Sequence, residues 1–128
     1  MTEPTDMSCT MYTKLPHKKV GKYEDVENLK EIFVAKFGAD RDRIGDIYTT
    51  HLELEIRKNT GFDEKGEKGG KVASFYFIIE ITPKPRTSWP DVFDSVCEIV
   101  LFIRKIGGSV GLSCDYEDEI YVKIGEGN

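Results

Sequence analysis

The stretch from Ser88 to Ile124 constrains the fold most, because it contains one well-marked helix followed by alternating residues. Pro90 has a backbone angle suited to a first helical position, and Gly107 and Gly108 supply a left-handed stop. Between these signals, apolar residues recur at steps of three and four, at Val92, Val96, Ile99, Ile103 and Ile106. The pattern predicts a helix whose apolar face must lie against a sheet.

The residues after this helix predict a short hairpin. Val110, Leu112 and Cys114 alternate with small residues, which is typical of a strand. Asp115–Glu119 is then expected to be the turn, and the chain returns as a last strand before Gly125.

The rest of the chain predicts one further helix and three strands. The helix has apolar residues at helical spacing and ends at Gly38. It spans Tyr23–Phe37, and the strands are Ser8–Leu15 (an edge strand), Ile47–Lys58 and Lys71–Pro83. The predicted order is (β)αββαββ, an α+β domain with two helices on one face of a mainly antiparallel sheet of four or five strands. The order is ferredoxin-like if Ser8–Leu15 joins the sheet.

Length and composition predict a single domain over residues 1–128. A chain of 128 residues can bury a core without metal or disulfide staples, and an apolar share of 39% with 32% charged residues fits a globular protein. Residues 1–7 and 125–128 are expected to be disordered tails, and the Gly-rich, charged residues 59–70 a mobile loop.

The charge and the cysteines narrow the expected partners and compartment. A net charge of -5 weighs against nucleic acid and anionic membranes, and favours a basic protein partner. No stretch approaches the roughly 18 apolar residues of a membrane span, and the N-terminus has no secretory pattern. Three cysteines without a CxxC spacing predict reduced thiols in the cytoplasm.

Pairing Ile47–Lys58 with Lys71–Pro83 as a hairpin predicts a mixed polar face. That register sets Glu53 opposite Tyr76 and His51 opposite Ile78. The face then collects His51, Glu53, Glu55, Tyr76 and Ile78. Carboxylates beside an imidazole can perform acid–base chemistry or hold a metal, while the same face can equally be solvated or cover a partner.

The predicted turn of the last hairpin is a second candidate surface. It carries acidic residues around a tyrosine, at Asp115, Tyr116, Glu117 and Asp118. An acidic projection of this kind can occupy a basic cleft, and its alternative is a solvated turn.

The sequence favours a small acidic, non-enzymatic protein-binding module of the inhibitor, immunity or accessory type. Neither of the two histidines lies beside a nucleophile motif, and the glycine-rich stretches match no phosphate, dinucleotide or calcium pattern. No cofactor is therefore expected. The alternative is a small-molecule or metal-binding enzyme or sensor that uses His51, Glu53, Glu55 and Tyr76. A homodimer is also expected, because an apolar patch needs covering: Tyr76 and Ile78 on the outer sheet face, with Leu101 and Phe102 outside the helix stripe.

Overall fold

The computed structural model describes residues 2–15, 26–60 and 75–125, and confirms the α+β class. The strands of these ranges are β1 Cys9–Lys14, β2 Asp40–Arg41, β3 Ile47–Tyr48, β4 Leu52–Lys58, β5 Phe77–Pro83 and β6 Ser109–Ser113. The helices are α1 Val26–Phe37, α2 Trp89–Lys105 and α3 Glu117–Ile124. Three helices and six strands replace the two helices and four or five strands expected from the sequence.

All neighbouring strands are antiparallel, and the sheet order is β2-β3-β4-β5-β1-β6. The expected edge strand Ser8–Leu15 is in fact internal, because β1 pairs with both β5 and β6. Its alternation is strong on the core side, where Cys9, Met11 and Thr13 are buried. A strand with partners on both sides satisfies its backbone groups without help from side chains.

The predicted strand Ile47–Lys58 is interrupted by a tight turn. Its first two residues form β3, which turns back at residues 49–51 and pairs with β4. The N–H of Thr49 donates to the Leu52 carbonyl at 2.9 Å, and the Leu52 N–H donates to Thr49 Oγ1 at 3.0 Å. The N–H groups of Thr49 and Leu52, at the two ends of the turn, are thus both hydrogen-bonded locally, as expected of a threonine turn.

The expected register between β4 and β5 was wrong by six residues. Glu53 pairs with Thr82 rather than Tyr76, and Arg57 pairs with Ile78. Because six is an even number, every side chain stays on the face that alternation assigned to it. Core residues of both strands are therefore as predicted, at Leu52, Leu54, Ile56, Phe77, Ile79 and Ile81.

Ile78 is buried, with 8% of its surface exposed, which corrects the expectation that it lies open on the outer face. Tyr12 of β1 and Arg57 of β4 are its neighbours in register on either side. The internal position of β1 explains the difference, since the neighbouring strand supplies a side chain beside Ile78.

Helix α2 forms as its sequence predicts. Ser88 caps it by accepting a hydrogen bond from the Asp91 N–H, and Gly107 ends it with a φ of 94°. Its buried stripe holds eight residues, among them Val92, Val96 and Ile103. Helix α1 packs beside it through an aromatic contact, with the Phe33 and Phe102 rings 6.0 Å apart.

The final segment is a helix, not the returning strand of a hairpin. Tyr116 and Ile120 are four residues apart and both buried, which is helical rather than alternating spacing. Glu117, Asp118 and Glu119 lie in the first turn, where the helix dipole favours acid, and Gly125 closes the helix with a φ of 77°. Within residues 2–15, 26–60 and 75–125, no helix has the length and apolar content needed to cross a bilayer.

Candidate functional site

A cleft of about 330 Å³ opens between the β3–β4 turn, the last residue of α1 and the first half of α2. Its lining is mostly polar and acidic. The lining residues are Phe37, Thr49, Thr50, His51, Leu52, Asp91, Asp94, Ser95, Glu98 and Ile99.

Helix α2 supplies the acidic wall. Asp91, Asp94 and Glu98 are spaced by three and four residues, so they share one face of the helix. The opposite face is anchored in the core, where Val92 and Val96 are fully buried. The carboxylates are therefore held by a helix that cannot rotate without exposing its apolar stripe.

The β3–β4 turn supplies the opposite wall and is fixed by backbone contacts. The His51 carbonyl accepts a hydrogen bond from the Lys84 N–H at 2.9 Å and one from Thr87 Oγ1 at 3.5 Å. These bonds attach the turn to the segment that leads into α2. Both walls of the cleft are thus connected through residues 84–88.

The cleft has a negative charge with no compensating cation among the residues described. No lysine or arginine lines it, and none of its three carboxylates lies within ion-pair distance of a described basic residue. Elsewhere carboxylates do pair: Arg41 contacts Glu27 at 2.9 Å, and Arg57 contacts Glu55 at 3.6 Å. Carboxylates clustered without a counter-charge favour a cation from outside.

An apolar groove of about 450 Å³ adjoins this cleft and shares Phe37 and Glu98 with it. Leu101 lines the groove and is 48% exposed. Phe102 lines it too, with its ring 5.5 Å from that of Phe37, and Lys36 Nζ lies 5.6 Å from the Phe102 ring centroid. The combined surface is acidic at one end and apolar with a basic margin at the other.

The residues predicted for a site on the outer sheet face are spread over the molecule. His51 lies in the β3–β4 turn and lines the cleft, whereas Glu53 and Glu55 are within β4. Tyr76 lies beyond the loop-proximal end of the β4–β5 ladder, where its carbonyl accepts from the Asn59 N–H. Six residues of strand separate Asn59 from Glu53, a distance of roughly 20 Å.

The acidic segment around Tyr116 divides between surface and core. Tyr116 is buried, its ring centroid lies 4.8 Å from that of Trp89, and its hydroxyl donates to the Met7 carbonyl at 2.8 Å. Burial raises the pKa of this phenol. Asp115 and Asp118 are exposed and Glu117 is partly so, so the expected projection is acidic but has no exposed tyrosine.

Sequence reasoning missed the acidic wall of the cleft as a site. Its signal was present: acids at positions 91, 94 and 98 on one helical face, followed by Leu101 on the same polar side. Alternation of apolar and polar residues did not reveal the turn at Thr49–His51, because it predicts one continuous strand over Ile47–Lys58.

No three His, Cys, Asp or Glu side chains of the described ranges are grouped so that they could hold a metal ion. No protein-family model matches the chain, and neither a curated protein nor a solved structure is significantly similar to it. The cleft geometry is consequently the basis for a functional proposal.

Proposed function

We propose that this protein is a small acidic, non-enzymatic binding module that takes a basic and apolar segment of a partner protein into the α2 cleft. The observation that carries this proposal is the row Asp91, Asp94 and Glu98, held rigidly and without a described counter-ion next to the apolar groove at Leu101. An inhibitor, immunity or accessory role fits such a surface, because binding alone performs it. The three free cysteines support a reducing, cytoplasmic setting.

Charge complementarity selects the partner's chemistry. A lysine or arginine in the cleft meets three carboxylates, and an adjacent leucine or phenylalanine can cover Leu101. Electrostatic attraction raises the association rate, and apolar burial in the groove slows dissociation. Binding should therefore weaken as salt is added.

The test uses a defined probe, a peptide of alternating lysine and leucine, titrated into the isotopically labelled full chain. We expect saturable NMR shifts at Thr50, Ser95 and Glu98. The double variant Asp94→Asn/Glu98→Gln should weaken the dissociation constant about fivefold to tenfold.

The matched control removes the same charge from α3, as Asp118→Asn/Glu119→Gln. It should bind within about twofold of the parent protein. Equal losses in both double variants would show that only net charge matters, and the cleft proposal would then fail. A larger loss in the control would assign binding to the acidic segment at Asp115–Asp118.

The homodimer expected from the sequence remains a prediction, with less to support it. Ile78 is covered within one chain, and Phe102 is packed among Phe33 and Phe37. Tyr76 is partly buried against the core, and Leu101 is the residue of the expected patch that stays largely exposed. Light scattering across a dilution series tests the dimer, and a monomer mass at every concentration would contradict it.

We infer in addition that the four longer strands form a ferredoxin-like arrangement. Support comes from their order β4-β5-β1-β6, with α1 between β1 and β4 and α2 between β5 and β6 along the chain. Each helix thus connects two strands that have one other strand between them. An experimental structure with β1 at a sheet edge would contradict this inference.

A further inference from the structure

Cys9 begins β1 and Cys114 directly follows β6, so both lie at the same end of the β1–β6 strand pair, although 105 positions separate them along the chain. The register pairs Thr10 with Ser113, so the next step of the ladder sets Cys9 opposite Cys114. Opposed residues of antiparallel strands have Cα atoms about 4.5–5.5 Å apart. A disulfide requires about 4.4–6.8 Å, a range that includes the spacing of opposed residues in such a ladder.

The two thiols differ in access. Cys9 is buried, with 3% of its surface exposed, whereas Cys114 is partly exposed at the junction between β6 and α3. Both are free thiols in this structure. An oxidant from solvent therefore reaches the Cys114 thiol first, and the buried Cys9 thiol lies next to it.

The two thiols also differ in acidity. The neighbouring Cys9 thiol, and then a hydrogen bond from the Tyr116 backbone N–H, lower the pKa of Cys114, although burial and the carboxylates of Glu117 and Asp115 oppose the shift. The same interaction with Cys114, together with burial, raises the pKa of Cys9. One thiolate is thus favoured at the exposed position while its neighbour keeps its proton.

We propose that Cys9 and Cys114 are a peroxide-sensitive dithiol site that closes reversibly to an intramolecular disulfide. The Cys114 thiolate attacks one oxygen of a hydroperoxide, the O–O bond breaks, and Cys114 becomes a sulfenic acid. With hydrogen peroxide the leaving hydroxide takes a proton and becomes water. The Cys9 sulfur then bonds to the Cys114 sulfur, the S–O bond breaks, and the Cys9 proton leaves with the hydroxyl group as a second water.

Two thiols are oxidised in this sequence and one hydrogen peroxide molecule is reduced to two waters. A dithiol reductant reverses it by exchange through a mixed disulfide. The closed form joins the start of β1 to the entry of α3, next to the Tyr116–Met7 hydrogen bond. The disulfide therefore reinforces a contact that already connects the N-terminal segment to α3.

The experiment uses the reduced full chain and hydrogen peroxide, followed by alkylation in denaturant and peptide mapping by mass spectrometry. We expect the mass to fall by two hydrogen atoms, Cys9 and Cys114 to be linked, and Cys97 to be alkylated. The melting temperature should rise by roughly 5–15 °C, because the bond closes a long loop of the unfolded chain. Dithiothreitol should restore the original mass and melting temperature.

Variants separate the role of each thiol. Cys97→Ser, which changes the buried cysteine of α2, should react as the parent does. Cys9→Ser should accumulate a Cys114 sulfenic acid that dimedone traps, and Cys114→Ser should leave Cys9 reduced. Oxidation of Cys97 at the rate of Cys114, or only intermolecular disulfides, would overturn the proposal. If Cys9→Ser does not fold, the peptide map of the parent protein still decides it.

Discussion

Thr13 illustrates at the residue scale how the sheet tolerates a polar group inside its core. Its side chain lies on the buried face of β1, fully inaccessible, and its hydroxyl has no hydrogen-bond partner within the described residues. An unsatisfied buried hydroxyl costs stability, because it has lost water without gaining a partner. Thr13→Val keeps the β-branched shape and removes that cost.

We expect Thr13→Val to raise the free energy of unfolding by about 1 kcal/mol. Urea denaturation followed by circular dichroism measures the change. Thr82→Val, at an exposed strand position, is the control and should change stability by less than about 0.5 kcal/mol. A destabilised Thr13→Val protein would indicate that the hydroxyl has a partner in solution.

Asp42 organises the β2–β3 connection and gives a pH-dependent prediction. Its Oδ1 accepts from the N–H groups of Ile44, Gly45 and Asp46 at 2.9–3.0 Å, and its Oδ2 accepts from the Tyr48 hydroxyl at 2.7 Å. The bond from Tyr48, followed by those from the backbone, lowers the pKa of Asp42 below 3.8. The same bond raises the pKa of Tyr48 to about 12.

A carboxyl group with a depressed folded-state pKa stabilises the fold above its unfolded pKa, and this contribution disappears as the pH falls through the folded pKa. Asp42→Asn should therefore melt at a lower temperature than the parent at pH 7, with the difference shrinking as the pH falls below 3.8, the ordinary pKa of the carboxyl group, and through its lowered pKa in the folded state. Asp40→Asn, which removes an exposed carboxylate from β2, is the matched control and should melt with the parent at pH 7. A constant difference from pH 7 to pH 2 would contradict the carboxylate's role.

At the scale of elements, α3 shows what the sequence could and could not reveal. Tyr116 and Ile120 have helical spacing, but the acidic residues between them also fit a turn. The same segment therefore predicted a hairpin. The helix is stabilised by tertiary contacts: the Tyr116 ring packs on Trp89 and its hydroxyl bonds to the Met7 carbonyl. A contact with a residue more than a hundred positions away could not be read from the local pattern.

Tyr116→Phe tests that contact. It retains the ring and removes the hydrogen bond to Met7, so we expect a loss of about 1 kcal/mol in the free energy of unfolding. Tyr12→Phe is the control, because the Tyr12 hydroxyl has no hydrogen bond among the described residues. Equal stabilities for Tyr116→Phe and the parent would mean that Met7 does not hold α3.

Helix α2 was predicted correctly because its stop signals, caps and stripe all agree, yet its acidic face costs it stability. Asp94 and Glu98 are four residues apart, and like charges at that spacing repel by about 0.2–0.5 kcal/mol. Glu98→Gln should therefore melt at or slightly above the parent's temperature while it weakens binding of the basic probe. A destabilised Glu98→Gln protein would show that Glu98 contributes to the stability of the fold. Weaker binding by this variant would then no longer test the cleft proposal by itself.

At the scale of the whole molecule, alternation predicted which residues face the core, but not which strands are neighbours. The six-residue register difference left both faces of β4 and β5 unchanged, so the core residues were predictable. The interior position of β1 was not, because strand order depends on contacts distant in sequence. The acidic cleft was unpredictable for the same reason, since its walls come from the β3–β4 turn and α2.

The burial of Ile78 distinguishes a sheet covered within one chain from one covered by a second copy. A lysine at this position would place an amine beside Tyr12 and Arg57 in a site only 8% exposed.

We expect Ile78→Lys to lower the free energy of unfolding by about 2–4 kcal/mol. Because Ile78 is covered within its own chain, this loss should be the same at protein concentrations a hundredfold apart. Leu101→Lys, at a position 48% exposed, should cost less than about 0.5 kcal/mol. If Ile78→Lys is as stable as the parent, or if its loss of stability grows with protein concentration, Ile78 belongs to a surface between subunits.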